Sequence, residues 1–227
     1  MRMDSRLPAP GKPWAQISID VLDTALGCEL AGLSVEAGAD LVEVGTPLVF
    51  YAPITVIGSM VEAAGATPVL VDFKAQDGVH KYFIEAKRQG AAFAVVLAVC
   101  NDGTMMEAVR AKEDCGINVV ADLFSVPFDQ LASRAEEVER LGADMVLLHV
   151  GHDQYLHEET RRYPLAGLDA ILERVSIPVA AVSFSIEQAI EAAKMGASCV
   201  VQGHPYISAE NPLEEIRKFV DAVHSAV

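Results

Sequence analysis

The sequence predicts an α/β fold of the (β/α)8 TIM-barrel type, on three observations. Short apolar runs rich in β-branched residues alternate with longer stretches of helical periodicity. There are eight such runs, each apolar throughout, as parallel strands covered on both faces require. A Gly-Ala motif that ends a helix and opens a strand also recurs at near-constant spacing. A chain of 227 residues is the size of one such barrel.

In chain order the expected strands lie at 16–20, 41–44, 68–72, 92–98, 118–122, 145–149, 178–182 and 199–202. Amphipathic stretches such as 128–141 and 186–195 fall between them. The repeat reads EAGADLVEV, RQGAAFAVV, RLGADMVLL and KMGASCVVQ. Its glycines, Gly38, Gly90, Gly142 and Gly196, stand 52, 52 and 54 residues apart, two βα units per interval. A glycine just past a helix accepts the left-handed conformation that stops it. No linker or composition shift divides the chain, so residues 15–227 are expected to form one barrel domain after an N-terminal arm, 1–14. The arm holds three prolines and no long apolar run, unlike a signal peptide.

The net charge of −15 disfavours nucleic acid and anionic membranes as partners, and no uninterrupted apolar stretch reaches membrane-spanning length. A negative substrate needs a local positive feature in such a chain. Cys28, Cys100, Cys115 and Cys199 are scattered without metal-binding or redox spacing, as expected of buried thiols in a reducing cytoplasm.

Chemistry in this fold sits at the C-terminal ends of the strands. The polar residues expected there are Asp20, Glu43, Asp72 with Lys74 and Asp77, Asp122, and His149 with His152 and Asp153. Charged side chains at buried strand ends need a partner or a metal. The run LVDFKAQD is the most specific, placing Asp72, Lys74 and Asp77 in a D-x-K-x-x-D pattern. Asp72 and Lys74, two apart, point the same way in an extended chain. A lysine among carboxylates stays protonated and can stabilise a developing enolate or deliver a proton. Asp77 fits either a catalytic role or the N-cap of the next helix. Glu43 and Asp72 suit a shared hard cation such as Mg²⁺, and equally an ion pair of either with Lys74. His149 is a candidate acid or base near neutral pH. His80, His157 and His224 are expected at the surface.

The segments ISID, VEVGTPL, VDFKAQD, VVADLFSV and LLHVGHD, in this order, resemble the orotidine-monophosphate-decarboxylase-like superfamily of ribulose-phosphate-binding barrels. Within it the chain is most similar to the branch of 3-hexulose-6-phosphate synthase and 3-keto-L-gulonate-6-phosphate decarboxylase, over residues 16–212. The resemblance implies a homodimer with shared active sites and a cofactor of Mg²⁺, with Mn²⁺ as an alternative. It implies that Asp20 binds a substrate hydroxyl, that Glu43 and Asp72 hold the metal, and that Lys74 stabilises a metal-bound enediolate. Asp77 would reach the partner's site, Asp122 would orient substrate or assist proton transfer, and His149 would shuttle the proton. Asp122 and the stretch VVLAVCNDGTM resemble the synthase branch, whereas the decarboxylase branch carries glutamate at the former and arginine in place of His152.

The chain departs from this family in one half of its site. Members carry a Gly-Gly turn after strand seven and a glycine-rich turn after strand eight, whose N–H groups cradle a phosphate. Here Val182, Ser183, Phe184 and Ser185 replace the first, and only Gly203 survives of the second. Ser183, Ser185, Gly203 and His204 are left to bind that end of the substrate, with His152 and Asp153 on the preceding loop. The expected function is a Mg²⁺-dependent aldehyde-lyase acting on a small sugar-phosphate-like substrate through an enediolate. The alternatives are a 3-keto-L-gulonate-6-phosphate-type decarboxylase and, from another class, a ligand-binding barrel with altered substrate or no catalysis. An epimerase needs several metal-ligating histidines, and only one is well placed.

Overall fold

The structure, a computed structural model, describes residues 7–9, 11–157 and 162–227. Eight strands form the expected barrel: β1 (Trp14–Ile19), β2 (Leu41–Val44), β3 (Val69–Ala75), β4 (Phe93–Leu97), β5 (Asn118–Asp122), β6 (Met145–Leu148), β7 (Val179–Val182) and β8 (Cys199–Gln202). Each pairs in parallel with the next, and β8 returns to β1, with Gln16 opposite Val201. Among the described residues ten α-helices surround them. They are α1 (Thr24–Glu36), α2 (Thr46–Tyr51), α3 (Val56–Ala64), α4 (Val79–Arg88), α5 (Asp102–Cys115), α6 (Leu131–Leu141), α7 (His152–Leu156), α8 (Leu168–Leu172), α9 (Ile186–Met195) and α10 (Pro212–His224). A 3₁₀ turn, Phe128–Gln130, leads into α6 where the sequence pattern had run on as one helix. No helix among the described residues is long and apolar enough to cross a membrane.

Alternation along each strand decides what faces inward. In β1, Ala15, Ile17 and Ile19 point out to the helices, joining Leu30, Met60 and Phe83 in the outer core. The inward set comprises Leu41, Leu70, Phe93, Val120, Met145 and their neighbours. Each such side chain contributes about 1.5–3 kcal/mol on burial. Trp14 belongs to β1, which begins two residues earlier than expected, and packs edge-to-face on Phe93 at 6.4 Å. With Leu7 it closes the barrel floor, so the described part of the arm is a plug. Residues 1–6 and 10 of the arm lie outside the described residues.

The fourfold repeat is realised as one helix-ending motif. Gly38, Gly90, Gly142 and Gly196 have φ of 95° to 110°. The alanine after each glycine donates its N–H back five residues, Ala39 to Ser34, Ala91 to Ala86, Ala143 to Val138 and Ala197 to Ala192, all at 3.0 Å. These bonds satisfy carbonyls the helix leaves open. Two quarters add a floor contact. Asp40 Oδ2 accepts from the Ala15 N–H at 2.8 Å and lies 2.7 Å from His224 Nε2. Asp144 Oδ2 accepts from the Val119 N–H at 2.8 Å, and its Oδ1 accepts from Lys112 Nζ at 2.6 Å.

Asp144→Ala leaves the Val119 N–H at the start of β5 without this partner. We expect a loss of roughly 1–3 kcal/mol in urea-induced unfolding, matched by Asp40→Ala on the opposite side. A change below about 0.5 kcal/mol, typical of surface sites, would show that these contacts do not hold the floor.

Candidate active site

A cavity of about 980 Å³ opens at the C-terminal end of the strands. It is lined by Asp20, Glu43, Asp72, Lys74, His149, His152, Asp153, Ser183, Gly203 and His204. Three expected site residues stand elsewhere. Asp122 is buried behind His149, Ser185 caps α9 through its bond from the Gln188 N–H, and Asp77 is exposed beside a separate groove before α4. Asp77 is not the N-cap either, because Gly78, with φ of 66°, precedes the helix. His157 is exposed, as expected, and also lines the cavity rim. His80 and His224 sit outside the site, beside Asp114 and Asp40.

The inward positions that carry leucine or valine lower in the barrel carry acids at the top. Glu43 follows Leu41, Asp72 follows Leu70 and Asp122 follows Val120, each two residues further along its strand. Glu43 is held by Gln16 Nε2 at 2.5 Å and lies 2.8 Å from Ser18 Oγ. Burial, and after it the charges of Asp72 and Asp20, raise the Glu43 carboxyl to about 8. Asp72 accepts from Thr46 Oγ1 at 2.8 Å and from Lys74 Nζ at 2.5 Å.

Lys74 does not reach Asp72 along an extended chain, as the spacing suggested. The pairing of β3 with β4 slips between Val71 and Ala75, and within this bulge Lys74 adopts φ of 42°. Its own N–H donates to Asp72 Oδ1 at 3.0 Å, so one aspartate fixes both the backbone and the ammonium of the lysine. Burial works against the Lys74 charge, but Asp72, Asp122 and Glu43 outweigh it and raise its pKa. A left-handed non-glycine residue is strained, and such strain gathers at functional sites.

On the opposite wall His149 Nδ1 lies 2.8 Å from Asp122 Oδ2. The carboxylate orients the ring so that Nε2 is the nitrogen left for the cavity. Burial disfavours the imidazolium, but the charge and hydrogen bond of Asp122 prevail and raise the His149 pKa. Phe124 was not anticipated. Its N–H donates to Asp122 Oδ1 at 2.9 Å, and its ring lies against His149 and 5.6 Å beneath Lys74 Nζ. Ser18, Thr46 and Gln16 were missed as well. Strand alternation was the available signal for Gln16, and the segments ISID and VEVGTPL were the signals for Ser18 and Thr46.

Two glycines keep the rim open. A Cβ on Gly45 would fall 2.4 Å from Asp20 Oδ1, and one on Gly203 would fall 2.7 Å from the Ser18 carbonyl. The β7–β8 wall is different in kind. Ser183 Oγ donates to Gln202 Oε1 at 2.7 Å, the Phe184 N–H to Gln188 Oε1 at 2.9 Å, and Gln202 Nε2 to the His204 carbonyl at 3.1 Å. Both nitrogens of His204 are engaged, with Ser208 Oγ at 3.0 Å and the Asp20 carbonyl at 3.2 Å. The Phe184 ring stacks on Tyr155 at 4.1 Å. Of the four groups expected to bind the far end of a substrate, Ser183 and His204 thus bond within the protein and Ser185 faces away.

No protein-family model matches the chain. It is 31% identical to the 3-hexulose-6-phosphate synthase of Mycobacterium gastri, over 92% of this chain and 98% of that protein. The synthase of Staphylococcus haemolyticus is 25% identical over 92% of this chain and 97% of its own length. The crystal structure of 3-hexulose-6-phosphate synthase from Salmonella typhimurium superposes with a TM-score of 0.85 at 27% identity, covering 94% of this chain and all of that one. KGPDC from Streptococcus mutans shares the fold at a TM-score of 0.79 and 19% identity, over 93% of this chain and 97% of that one. With the acid–lysine–acid wall facing a histidine across a closed parallel barrel, the chain belongs to the 3-hexulose-6-phosphate synthase family, lyases of the orotidine-monophosphate-decarboxylase-like superfamily.

Proposed function

We propose that the enzyme is a sugar-phosphate lyase that catalyses aldol addition and its reverse, joining the enediolate of a ketose phosphate to a small aldehyde. The observation that carries this reading is the placement of Lys74, raised in pKa among Asp72, Glu43 and Asp122, across the cavity from the Asp122–His149 pair. His149 Nε2 takes the proton from the carbon beside the substrate carbonyl, and Asp122 stabilises the imidazolium that results. Lys74 places its ammonium where negative charge develops. Asp20, beside Gly45 and Gly203, accepts from a substrate hydroxyl. The reacting carbon then attacks the aldehyde, and the new alkoxide takes the proton back from the His149 imidazolium. Aldol chemistry is preferred to decarboxylation because the relatives above 25% identity carry the synthase name, whereas the KGPDC neighbours share 16–19% of residues.

The donor set fits a hard divalent cation, Mg²⁺ or Mn²⁺, held by Glu43 and Asp72. Asp20, Glu43 and Asp72 bring three carboxylates to this wall against the single ammonium of Lys74. Among the described residues no group of three His, Cys, Asp or Glu side chains forms a chelating cluster. A site of two carboxylates completed by water and substrate oxygens is the usual mode for Mg²⁺. When bound, the cation supplies positive charge that polarises the carbonyl. A homodimer in the cytoplasm is also proposed. Exposed Leu22, Phe50, Tyr51, Tyr82 and Met106 follow strands β1 to β4 on the side where Asp77 is exposed, an apolar rim suited to a second copy.

The engaged donors of the β7–β8 wall favour a second reading of the substrate, an unphosphorylated ketose seated against Phe184. ¹H NMR in D₂O with Mg²⁺ separates the two. Exchange of the C1 proton of ribulose 5-phosphate, with hexulose phosphate formed when formaldehyde is added, is the expected outcome. Exchange with ribulose alone would support the second reading, and exchange with neither, from folded protein, would overturn the lyase chemistry for this substrate class. Lys74→Ala is expected to lower kcat/KM by about 10²–10³-fold, and His149→Gln by about 10²–10⁴-fold, in the same assay.

A pH dependence of stability follows from Glu43. Its carboxyl, raised from 4.5 to about 8, keeps its proton in the fold over a range where the unfolded chain has lost it. The ion-free protein therefore loses stability as pH rises from about 5 to about 8. His149 acts in the same direction, since its raised pKa adds stability below 6.5 that is lost as pH passes its folded value. Thermal melts in EDTA are expected to show Tm falling across this window and the fall shrinking in Glu43→Gln. A flat profile in the parent protein would contradict the burial of Glu43 as an acid.

A further inference from the structure

We propose that Gln16 and Ser18 are positioning residues that set the orientation in which Glu43 meets a divalent cation; this rests on the reading of Glu43 and Asp72 as the holders of that ion. Both residues point into the barrel from β1, Gln16 one layer below the cavity and Ser18 at its floor. Gln16 is 1% exposed in a layer otherwise filled by Leu41, Phe93, Met145 and Cys199. An amide in such a layer is costly to bury unless it is bonded, and its N–H donates to Glu43 Oε2 at 2.5 Å. The Cys199 thiol lies 3.5 Å from Gln16 Oε1, which fixes the amide with its nitrogen toward the carboxylate.

Ser18 Oγ holds the other oxygen, Glu43 Oε1, at 2.8 Å and also lies 2.9 Å from Asp20 Oδ2. The carboxyl of Glu43 is therefore gripped at both oxygens from the barrel side, and its remaining lone pairs are the ones available to a ligand. A hydroxyl has one hydrogen, so Ser18 serves Glu43 or Asp20 and not both at once. Lys74 Nζ is committed to Asp72. When Ser18 donates to Glu43 it leaves Asp20 without that bond, so one hydroxyl couples the orientation of the two carboxyl groups. Partners of this kind, bonded to a ligand residue and not to the ion, govern affinity by holding the ligand in place.

The test is titration of the full chain with Mn²⁺ alone, read by electron paramagnetic resonance of the free ion, with circular dichroism to confirm the fold. The parent protein is expected to bind Mn²⁺ and Glu43→Gln to lose it. Ser18→Ala and Gln16→Leu are expected to weaken binding by about 10–100-fold. Ser18→Thr, which keeps the hydroxyl, restores the parent affinity, an outcome that a purely packing role for Ser18 does not give. Folded Ser18→Ala and Gln16→Leu proteins that bind Mn²⁺ as tightly as the parent would overturn the inference while leaving the ion at Glu43. Failure of the parent protein itself to bind Mn²⁺ would overturn the ion-holding reading and this inference with it. Should Gln16→Leu not fold, the Ser18→Ala and Ser18→Thr pair decides the matter.

Discussion

Closure of the eight parallel strands is the constraint from which the site follows. Once β8 pairs with β1, no strand can rotate about its axis without breaking two ladders of hydrogen bonds. Inward and outward positions are then fixed along every strand. The same alternation that turns Leu41, Leu70 and Val120 toward the barrel axis turns Glu43, Asp72 and Asp122 there two residues later. Apart from Gln16 the lower layers are apolar and cohesive, and the top layer is acidic. Water reaches the top layer only through the mouth, so these charges depend on one another and on a few fixed dipoles for their balance.

That balance is lopsided by design of the backbone. The bulge in β3 raises Lys74 out of the ladder and lays its ammonium over Asp72. His149 receives the equivalent service from Asp122 on the far wall. Lys74 and His149 are thus each oriented by a buried aspartate, while Glu43 is oriented by neutral groups, Gln16 and Ser18. Glu43 is the acid most affected by burial, and the like charges of Asp72 and Asp20 add to the rise in its pKa. The β7–β8 wall holds the reverse arrangement, in which neutral donors and acceptors satisfy one another and an aromatic pair covers them.

The fold was legible because its signals are repetitive. Eight apolar runs and four Gly-Ala helix ends each state the same instruction, and each expected strand is present at its expected place. The acids at strand ends were legible for a related reason, since a charge closing an apolar run has few structural excuses. What the sequence concealed depended on geometry between strands. Asp122 and Lys74 read alike as charges at strand ends, yet one lies behind a histidine and the other faces the cavity. The bulge that aims Lys74 has no signature in DFKAQ, because it arises from the register of β3 on β4. Ser185 read as a ligand and serves as a helix cap, since serine before a helix suits both roles and only the direction of its side chain separates them.

The backbone at Lys74 has a consequence for substitution. A side chain bearing a Cβ in the left-handed region costs roughly 1–2 kcal/mol, which glycine does not pay. Glycine, and to a lesser degree asparagine or aspartate, would relieve this strain, and every such change also removes the ammonium. Replacing the lysine by glycine would relieve that strain but would leave the buried Asp72 without its counter-charge. Lys74 thus stands where its backbone conformation is costly and where its ammonium offsets the charges of Asp72, Asp122 and Glu43.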